Sequence, residues 1–469
     1  MLKRLTLMGG GACAGLMVAQ AALAGADVTV RFVGEFVGGG GSDIASYGQS
    51  DGIFAYSVAT TSCNIGDQHL KWYSFNNEHP VIAQNLYRLT ENGRFEQVGM
   101  SWLKHGFCAV SEPGCLATCN ASATDCTELG IGCADTYWAD LNANGLGPRS
   151  DINATTGVNA FTFNPSGPGN IRGRLQVHAD DTDPAMYPNA RYFAEAQYVT
   201  EDDAEDGNDL NNASYIEVSI AGNTSRSMTR ISDTNWQIRA IQAWRDNVPG
   251  VTLGQVLVPD DGLLTVGSRV VDNGDGSWTY EYAIHNMNSH ASLRWFGVPV
   301  PECVEITNAG FNDVAYHSGE IFDGTDWPFQ RVGGNAFWNT ESFGQNPDAN
   351  ALRWGTMYTY WFTANTPPVD VTSTMLPFRL TPVFTGATVP APSAACPVSC
   401  PADVFPSNMD GSYGNGQINI DDLLAIINNF GGSDPQFDPS PENPDGTFGN
   451  GITNIDDLLV ILNSFGACP

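Results

Sequence analysis

Residues 268–286 read SRVVDNGDGSWTYEYAIHN, and this stretch predicts a β-hairpin. The run from Asp272 to Gly276 supplies the turn, because Asn and Gly tolerate the positive φ angles that tight hairpin turns need. From Trp278 to Ile284 large apolar residues alternate with smaller or polar ones, which is typical of a strand with one apolar face. The hairpin therefore indicates that the chain around it is rich in β-structure.

The rest of the long N-terminal part has the same character. Short extended runs recur at 27–33, 353–364 and 372–380, whereas the best helical pattern covers only 236–245. Many turn signals and few helices favour sandwich architecture. We therefore predict a mainly β fold, with a β-sandwich-like body of one or two sandwich domains over residues 27–386.

The N-terminus predicts export. Lys3 and Arg4 precede an apolar stretch over 5–21, and Ala22-Leu23-Ala24 matches a signal-peptidase site. Residues 1–24 are interpreted as a signal peptide, so we expect a secreted protein that is extracellular or attached to the cell surface. The apolar stretch is short and carries glycines, so no membrane insertion is expected after its removal.

Cysteine usage agrees with an oxidising compartment. One of the 11 cysteines, Cys13, lies in the predicted signal, which leaves an even number for disulfides. Five of the remainder fall within 108–133, and their spacing lacks the CxxC pairs of a zinc site. A disulfide-rich loop region is therefore predicted over 108–168.

The formal charge of −31, from 20 basic and 51 acidic residues, narrows the choice of partners. Such a surface repels nucleic acid and anionic membranes and suits divalent cations. The acidic run 201–209 is interpreted as a solvated loop.

The strongest pattern is a repeat near the C-terminus. A Pro/Ala/Ser-rich linker is predicted at 387–399, and residues 400–469 then contain two copies of one motif, offset by 35 residues. Each copy carries a set of Asp and Asn residues followed by an apolar helical segment. Because Ca²⁺ takes six to eight oxygen ligands from such side chains and from carbonyls, the candidate calcium ligands are Asp403, Asn408, Asp410, Asn415, Asn419 and Asp422, with Asp438, Asn443, Asp445, Asn450, Asn454 and Asp457 in the second copy.

These repeats resemble the dockerin type I module of secreted bacterial proteins. The resemblance implies a small all-α unit of two calcium loops, each followed by a helix, with Asp403 and Asp438 as first ligands, Asn415 and Asn450 as mid-loop ligands, and Asp422 and Asp457 closing the loops. This chain carries extra residues after each first Asp. The roles of Asn408, Asp410, Asn443 and Asp445 therefore remain open between ligation and loop shaping.

The resemblance also implies a partner. Dockerins bind cohesins, and Ile420-Asp421 and Ile455-Asp456 occupy the positions at the start of each helix where such partners are often recognised. They differ from the usual pair of small hydroxyl residues. The partner is thus predicted to be cohesin-like or another cell-surface protein, and a calcium-stabilised terminal cap without a partner is the alternative.

Helical spacing also predicts the core of this module. Leu423, Ile426 and Ile427 are expected to pack against the equivalent residues of the second copy, which are Leu458, Ile461 and Leu462. Cys400 and Cys468 bracket the module and are candidates for a clasp between its ends.

The body carries no GxSxG, HExxH, P-loop or dinucleotide motif. His69, His79 and His105, with Asp67 and Glu78, could form a metal site, but their spacing favours separate histidines. His285 and His290 are interpreted as structural.

Glu195 and Glu281 lie among aromatic residues on predicted strands, which makes them the candidate general acid and base. A core or surface carboxylate explains the same pattern. Three functions follow: a protein that binds a glycan or a surface component, a dockerin-bearing glycoside hydrolase that degrades a polysaccharide, or a cell-surface structural protein. The absence of a catalytic motif favours the first.

Overall fold

The computed structural model describes residues 25–35, 41–121, 126–160, 168–315, 320–380, 384–393, 400–407, 413–443 and 447–468. The chain divides into two compact units, Met1–Ser393 and Ala394–Pro469. The predicted signal peptide lies outside the described residues. Among the residues that the structure describes, no helix is long and apolar enough to cross a bilayer.

The first unit is mainly β, as the sequence predicts. In chain order its strands are β1 (Val28–Val33), β2 (Ile44–Ser50), β3 (Ile53–Val58), β4 (Thr60–Asn64), β5 (Leu70–Lys71), β6 (Val81–Leu89), β7 (Phe95–Met100), β8 (Leu103–His105), β9 (Glu128–Leu129), β10 (Ala134–Tyr137), β11 (Leu146–Gly147), β12 (Leu175–His178), β13 (Arg191–Val199), β14 (Ala213–Ile220), β15 (Met228–Arg230), β16 (Thr252–Leu257), β17 (Leu263–Asp272), β18 (Trp278–Asn286), β19 (Leu293–Pro299), β20 (Ile306–Asn312), β21 (Phe329–Val332), β22 (Asn335–Asn339), β23 (Thr356–Ala364), β24 (Pro368–Thr372), β25 (Thr374–Pro377) and β26 (Thr388–Pro392). Its short α-helices are α1 (Ala139–Asn142), α2 (Glu201–Glu205) and α3 (Ile241–Asn247).

Four antiparallel sheets carry most of these strands. Their orders are β1-β4-β10, then β15-β14-β13-β6-β7-β12-β3-β2 with β8 paired to β6 and β11 paired to β8, then β16-β17-β18-β23-β20, and finally β21-β22-β19-β25. Val28 and Val30 of the first sheet share a buried cluster with Ala194 and Ile216 of the second. The first two sheets therefore pack against each other over a common core.

The five-stranded sheet is covered on both faces. On one side Tyr282 and Tyr360 contact Phe296 of the four-stranded sheet, with ring centroids 5.2 and 5.0 Å apart. On the other side Thr359 Oγ1 donates to Phe95 O of the ten-stranded sheet at 2.8 Å. This sheet is thus a middle layer of the body.

The hairpin at 268–286 is confirmed and is longer than predicted, because β17 begins at Leu263. The predicted apolar face of Tyr280, Tyr282 and Ile284 is present, but the opposite face is not exposed to solvent. Glu281, Ala283 and His285 are as buried as the alternate tyrosines, since a second layer covers their face. Alternation in the sequence cannot reveal that second layer.

Three further expectations need correction. The helix predicted at 236–245 is α3 and begins only at Ile241. The acidic run 201–209 is not a solvated loop, because α2 forms there and Asp203 is fully buried, with Oδ1 accepting from Val28 N at 3.1 Å. The linker predicted at 387–399 begins too early, since β26 pairs with β24 and belongs to the body.

The region 108–168 consists mainly of loops that disulfides cross-link, with only short elements such as β9, β10 and α1 in its described part. Disulfides join Cys63 to Cys115, Cys108 to Cys126, and Cys119 to Cys133. Cys303 is also disulfide-bonded. The preference for disulfides over a zinc site is confirmed for these cysteines.

The second unit contains two helices, α4 (Ile420–Asn428) and α5 (Ile455–Asn463), and a short 3-10 turn at Pro435–Phe437. Its strands β27 (Gln417–Ile418) and β28 (Gly466–Ala467) pair as a two-residue ribbon, so the described unit is not purely helical. The predicted clasp is present as a Cys400–Cys468 disulfide.

The core of the second unit differs from the predicted one. Ile426 and Ile461 are fully buried, and Leu423 and Leu458 pack against them. Ile427 and Leu462 instead remain 48% and 46% exposed. The space predicted for them is filled by Ala402, Val404, Ile418 and Ala425.

Candidate functional site

The first acidic loop closes around Asp403. The carboxylate oxygens of Asp403 accept hydrogen bonds from the backbone N–H groups of Asn415, at 3.0 Å, and Gly416, at 2.6 Å. Gly414 has a φ angle of 91°, and a Cβ atom there would lie 2.5 Å from Asp403 Cγ. Glycine is therefore required for the loop to approach this carboxylate.

Asp422 joins the loop to its helix. It is fully buried in the first turn of α4. Its Oδ1 accepts from Phe405 N and its Oδ2 accepts from Asn419 N, both at 2.9 Å. The side chain of Asn419 caps the helix by accepting from Asp421 N at 2.7 Å, and Asp421 itself is exposed. Of the two adjacent carboxylates, only Asp422 turns towards the loop.

The second repeat reproduces this arrangement. Asp438 and Asp457 are buried, and Asp456 is exposed. The equivalent hydrogen bonds join Asn450 N at 3.1 Å and Gly451 N at 2.5 Å to Asp438, and Ser440 N at 2.9 Å and Asn454 N at 2.8 Å to Asp457.

The two buried carboxyl groups of the second repeat face each other. Burial raises the pKa of Asp457, backbone N–H groups of Asn454 and Ser440 oppose the rise, and the adjacent Asp438 adds to it through its charge and through a hydrogen bond. Two carboxylates cannot share such a place without a proton or a cation between them. Residues 400–469 contain no Lys, Arg or His that could serve.

The other predicted ligands have different positions. Asn415 is exposed and its Oδ1 accepts from Gln417 N at 3.1 Å. Asn443 donates to Gly449 O at 3.1 Å and thus shapes its loop. In the second repeat, Asn450 Oδ1 accepts from Ile452 N within the loop, as Asn415 does in the first. The side chain of Asn454 caps α5 by accepting from Asp456 N, as Asn419 caps α4. Asn408, Asp410 and Asp445 lie outside the described residues.

Cys400, Asp403 and Cys468 also lie close together, with ligand atoms within 4.8 Å of one another. The two sulfur atoms form a disulfide and so offer no thiolate. This cluster therefore fixes the start of the first loop to the end of the unit and is not a metal site.

Glu195 is not placed for catalysis in the body. It is fully buried on β13, and its oxygens accept from Asn85 Nδ2 at 3.0 Å, Tyr87 OH at 2.9 Å and Ala240 N at 2.7 Å. His285 Nε2 lies 3.8 Å from it, also fully buried. A carboxylate without access to solvent or substrate acts as a core bridge.

Glu281 is held between two arginines. Arg94 Nε lies 3.1 Å from its Oε1 and Arg269 NH1 lies 3.2 Å from its Oε2, and the side chain is 4% exposed. Both oxygens are therefore committed to guanidinium groups. The hypothesis that Glu195 and Glu281 form an acid/base pair finds no support in these surroundings.

The three early histidines do not converge. His79 Nε2 and His105 Nδ1 lie 2.9 Å apart, while His69 Nδ1 lies 3.0 Å from Glu128 Oε2. Burial lowers the pKa of His105 to about 3, and the neighbouring His79 and Lys104 lower it further. The expectation of separate histidines is thus correct for His69 and wrong for the other two.

An open groove of about 580 Å³ lies beside the Glu281 cluster. Its walls carry Trp361 and Tyr187, with Arg94 3.8 Å from the Trp361 ring centroid and Arg88 3.3 Å from that of Tyr187. Aromatic rings beside charged hydrogen-bonding groups are suited to polar ring-shaped ligands. The lining comes from four separate segments, so no sequence pattern could have indicated it.

Comparisons with known proteins show no family for this chain. No family model and no curated protein matches it. One solved structure aligned with it is described as showing inhibition of the exo-β-D-glucosaminidase CsxA by a glucosamine-configured castanospermine and an amino-australine analogue. The alignment has 9% identity and a TM-score of 0.15, and it covers 75% of this chain but only 26% of that one. Similarity at this level carries no argument about function.

The structural role of Glu281 can be tested by replacement. Glu281→Ala should lower the free energy of unfolding by about 3–5 kcal/mol, because Arg94 and Arg269 would then face each other without their shared counter-charge. The control is Glu217→Ala, which removes a surface pair with Arg191 and should cost about 0–1 kcal/mol. Chemical denaturation measures both, and similar small losses would contradict the structural role.

Proposed function

We propose that this is a secreted binding protein whose C-terminal unit is a calcium-dependent attachment module of the dockerin kind. The observation that carries the proposal is the buried, uncompensated pair of carboxyl groups at Asp438 and Asp457, with the same backbone pattern at Asp403 and Asp422. The disulfides of the body are consistent with an oxidising compartment outside the cytoplasm.

The donor set fits calcium. Hard carboxylate and carbonyl oxygens are the ligands that Ca²⁺ prefers, and each repeat brings one buried carboxylate from the loop and one from the helix start. We assign Asp403 and Asp422 to the first ion, and Asp438 and Asp457 to the second. Asn415 and Asn450 are the candidate mid-loop ligands.

The same unit offers a surface for a protein partner. Each helix carries an exposed apolar stripe, and the two stripes repeat one another. Together we call them the paired apolar stripes: Ile420, Leu424, Ile427 and Phe430 with Ile455, Leu459, Leu462 and Phe465, all between 46% and 56% exposed. Apolar surface that is concentrated in this way favours association.

The charge of the unit indicates what covers these stripes. Asp421 and Asp456 are exposed beside them, and the unit has no basic side chain. A second copy would bring acid against acid and be repelled. We therefore infer a different protein, cohesin-like, with an apolar centre and a basic rim.

The body is the recognition part of the proposal. The groove with Trp361 and Tyr187 supports a glycan or another polar surface component as its ligand. The glycoside hydrolase alternative was suggested by Glu195 and Glu281, and neither carboxylate is available to a substrate. Glu195 is enclosed in the core, and Glu281 is paired with Arg94 and Arg269. Screening the exported protein on a glycan array tests this part, and failure to bind any glycan would favour a structural role.

Calcium titration of the full-length protein tests the metal assignment. We expect about two sites in the wild type and one in Asp457→Asn, because the remaining amide cannot supply the closing charge. The exposed neighbour provides the control: Asp456→Asn should keep both sites, since it changes only surface charge beside the cap. Equal losses in the two variants, or no calcium binding by the wild type, would overturn the assignment.

The partner surface is tested with immobilised purified cohesin domains. Binding should require calcium and should weaken at least about tenfold in Leu424→Ser/Leu459→Ser, because the centres of both stripes become polar. Leu257→Ser, a similarly exposed change in the body, is the control. Unchanged binding, or self-association of the wild type in sedimentation, would contradict a cohesin-like partner.

A further inference from the structure

The first residues that the structure describes are bound tightly to the body. Residues 25–28 are all buried. The carbonyl groups of the first three accept hydrogen bonds from Asp67 N at 2.9 Å, Asn208 Nδ2 at 2.7 Å and Ile65 N at 2.9 Å. The body therefore uses the backbone from residue 25 onwards.

Two aspartates receive the N–H groups at the start of this segment. Asp67 Oδ1 accepts from Gly25 N at 2.7 Å, and Asp206 Oδ2 accepts from Ala26 N at 2.6 Å. Asp206 belongs to the acidic run 201–209, so this run and Asp67 together hold the start of the segment. Among the described residues, neither aspartate forms an ion pair with a Lys, Arg or His side chain.

Glycine is required at the first position of the segment. Gly25 has a φ angle of 112°, and a Cβ atom there would lie 2.3 Å from Asp206 Cγ. A side chain would therefore displace the Asp206 carboxylate. The residue whose nitrogen reaches Asp67 is thus a glycine, and it directly follows Ala24, where the sequence predicts cleavage by signal peptidase.

We propose that Asp67 and Asp206 form a binding site for the α-ammonium group of Gly25, which arises when the signal peptide is cut off after Ala24. The inference rests on the secretion that is part of the proposed function. In the cut, water adds across the amide bond: its oxygen joins the Ala24 carboxylate, and both of its protons go to the Gly25 nitrogen. The resulting ammonium group has three N–H donors and a positive charge, and its hydrogen bonds to carboxylates are stronger than those of an amide.

The site also selects between two possible cuts. A cut after Ala26 would follow the same small-x-small pattern, and the chain would then begin at Asp27. That chain would lack the two backbone N–H groups that the aspartates accept, and the glycine that fits beside Asp206. The cut after Ala24 keeps all three.

An ammonium group held by two carboxylates should keep its proton more tightly than a free one. The pKa of an α-amino group is ordinarily about 8, and the folded-state pKa of Gly25 should lie above it. The stabilisation is then complete below about pH 8 and is lost as the pH rises through the folded-state pKa. A chain that begins at Gly25 has only two other amines, Lys71 and Lys104, so the α-amino group can be followed individually.

Mass spectrometry of the exported protein, combined with trace acetylation of its amines, tests the site. We expect the mature chain to begin at Gly25. The pH dependence of acetylation should give its α-amino group a pKa of about 9 or higher. Asp67→Asn and Asp206→Asn keep the shape of the side chain without the charge and should each bring this pKa back towards about 8. The control is Glu205→Gln, an exposed carboxylate of the same acidic run, which should leave the pKa unchanged.

Failure of the site and failure of secretion give different results. A protein that is not exported would contradict the secretion, and a protease site placed directly before Gly25 would then release the same amine for the same measurement. A mature chain that begins at Asp27 would overturn the proposal. So would an α-amino pKa near 8 that neither Asp67→Asn nor Asp206→Asn changes.

Discussion

Every charge that this fold buries needs a counter-charge, a proton or a ligand, and the structure depends on how each is supplied. Within the body most are matched by the chain itself. Arg88 lies 2.6 Å from Glu96 in the core of the ten-stranded sheet, and Glu281 bridges two arginines where that sheet meets the middle layer. Removing one member of such a pair is costly because the other remains buried.

Asp203 is an example of a buried charge that is neutralised by a proton. It ties α2 to β1 through Val28 N without a cationic partner among the described groups that contact it, and burial raises its pKa well above the usual value. Protonation removes the cost of a lone buried carboxylate. In the C-terminal unit, protonation would remove the negative charge of the carboxylates that accept hydrogen bonds from the two loops. A bound cation satisfies two carboxylates of each repeat together.

The sequence was informative wherever the signal is local. The hairpin around 272–276 was predictable from its turn residues, and the acidic repeats from a 35-residue offset that aligns Asp403 with Asp438 and Asp422 with Asp457. The resemblance named Asp422 and Asp457 as the residues that close the loops, and these are the carboxylates that accept hydrogen bonds from the loop backbone. Local patterns failed where burial is decided by distant segments. Ile426 and Ile427 are both apolar residues of α4, but only Ile426 is buried. Ile427 stays exposed because Ala402 and Val404, which precede the loop, occupy the core. The groove beside Glu281 unites Arg94, Tyr187 and Trp361, which no local window contains.

The most direct test of the central claim measures protons and calcium together. Because the folded-state pKa of Asp457 lies above its ordinary value of 3.8, proton binding favours the folded unit, and in EDTA its stability should fall as the pH rises above about 4. Calcium should abolish that fall by replacing the proton. Calorimetric titration of the full-length protein in buffers of different ionisation enthalpy should then show protons released as calcium binds. Calcium binding without proton release, together with a stability in EDTA that does not change with pH, would contradict the account.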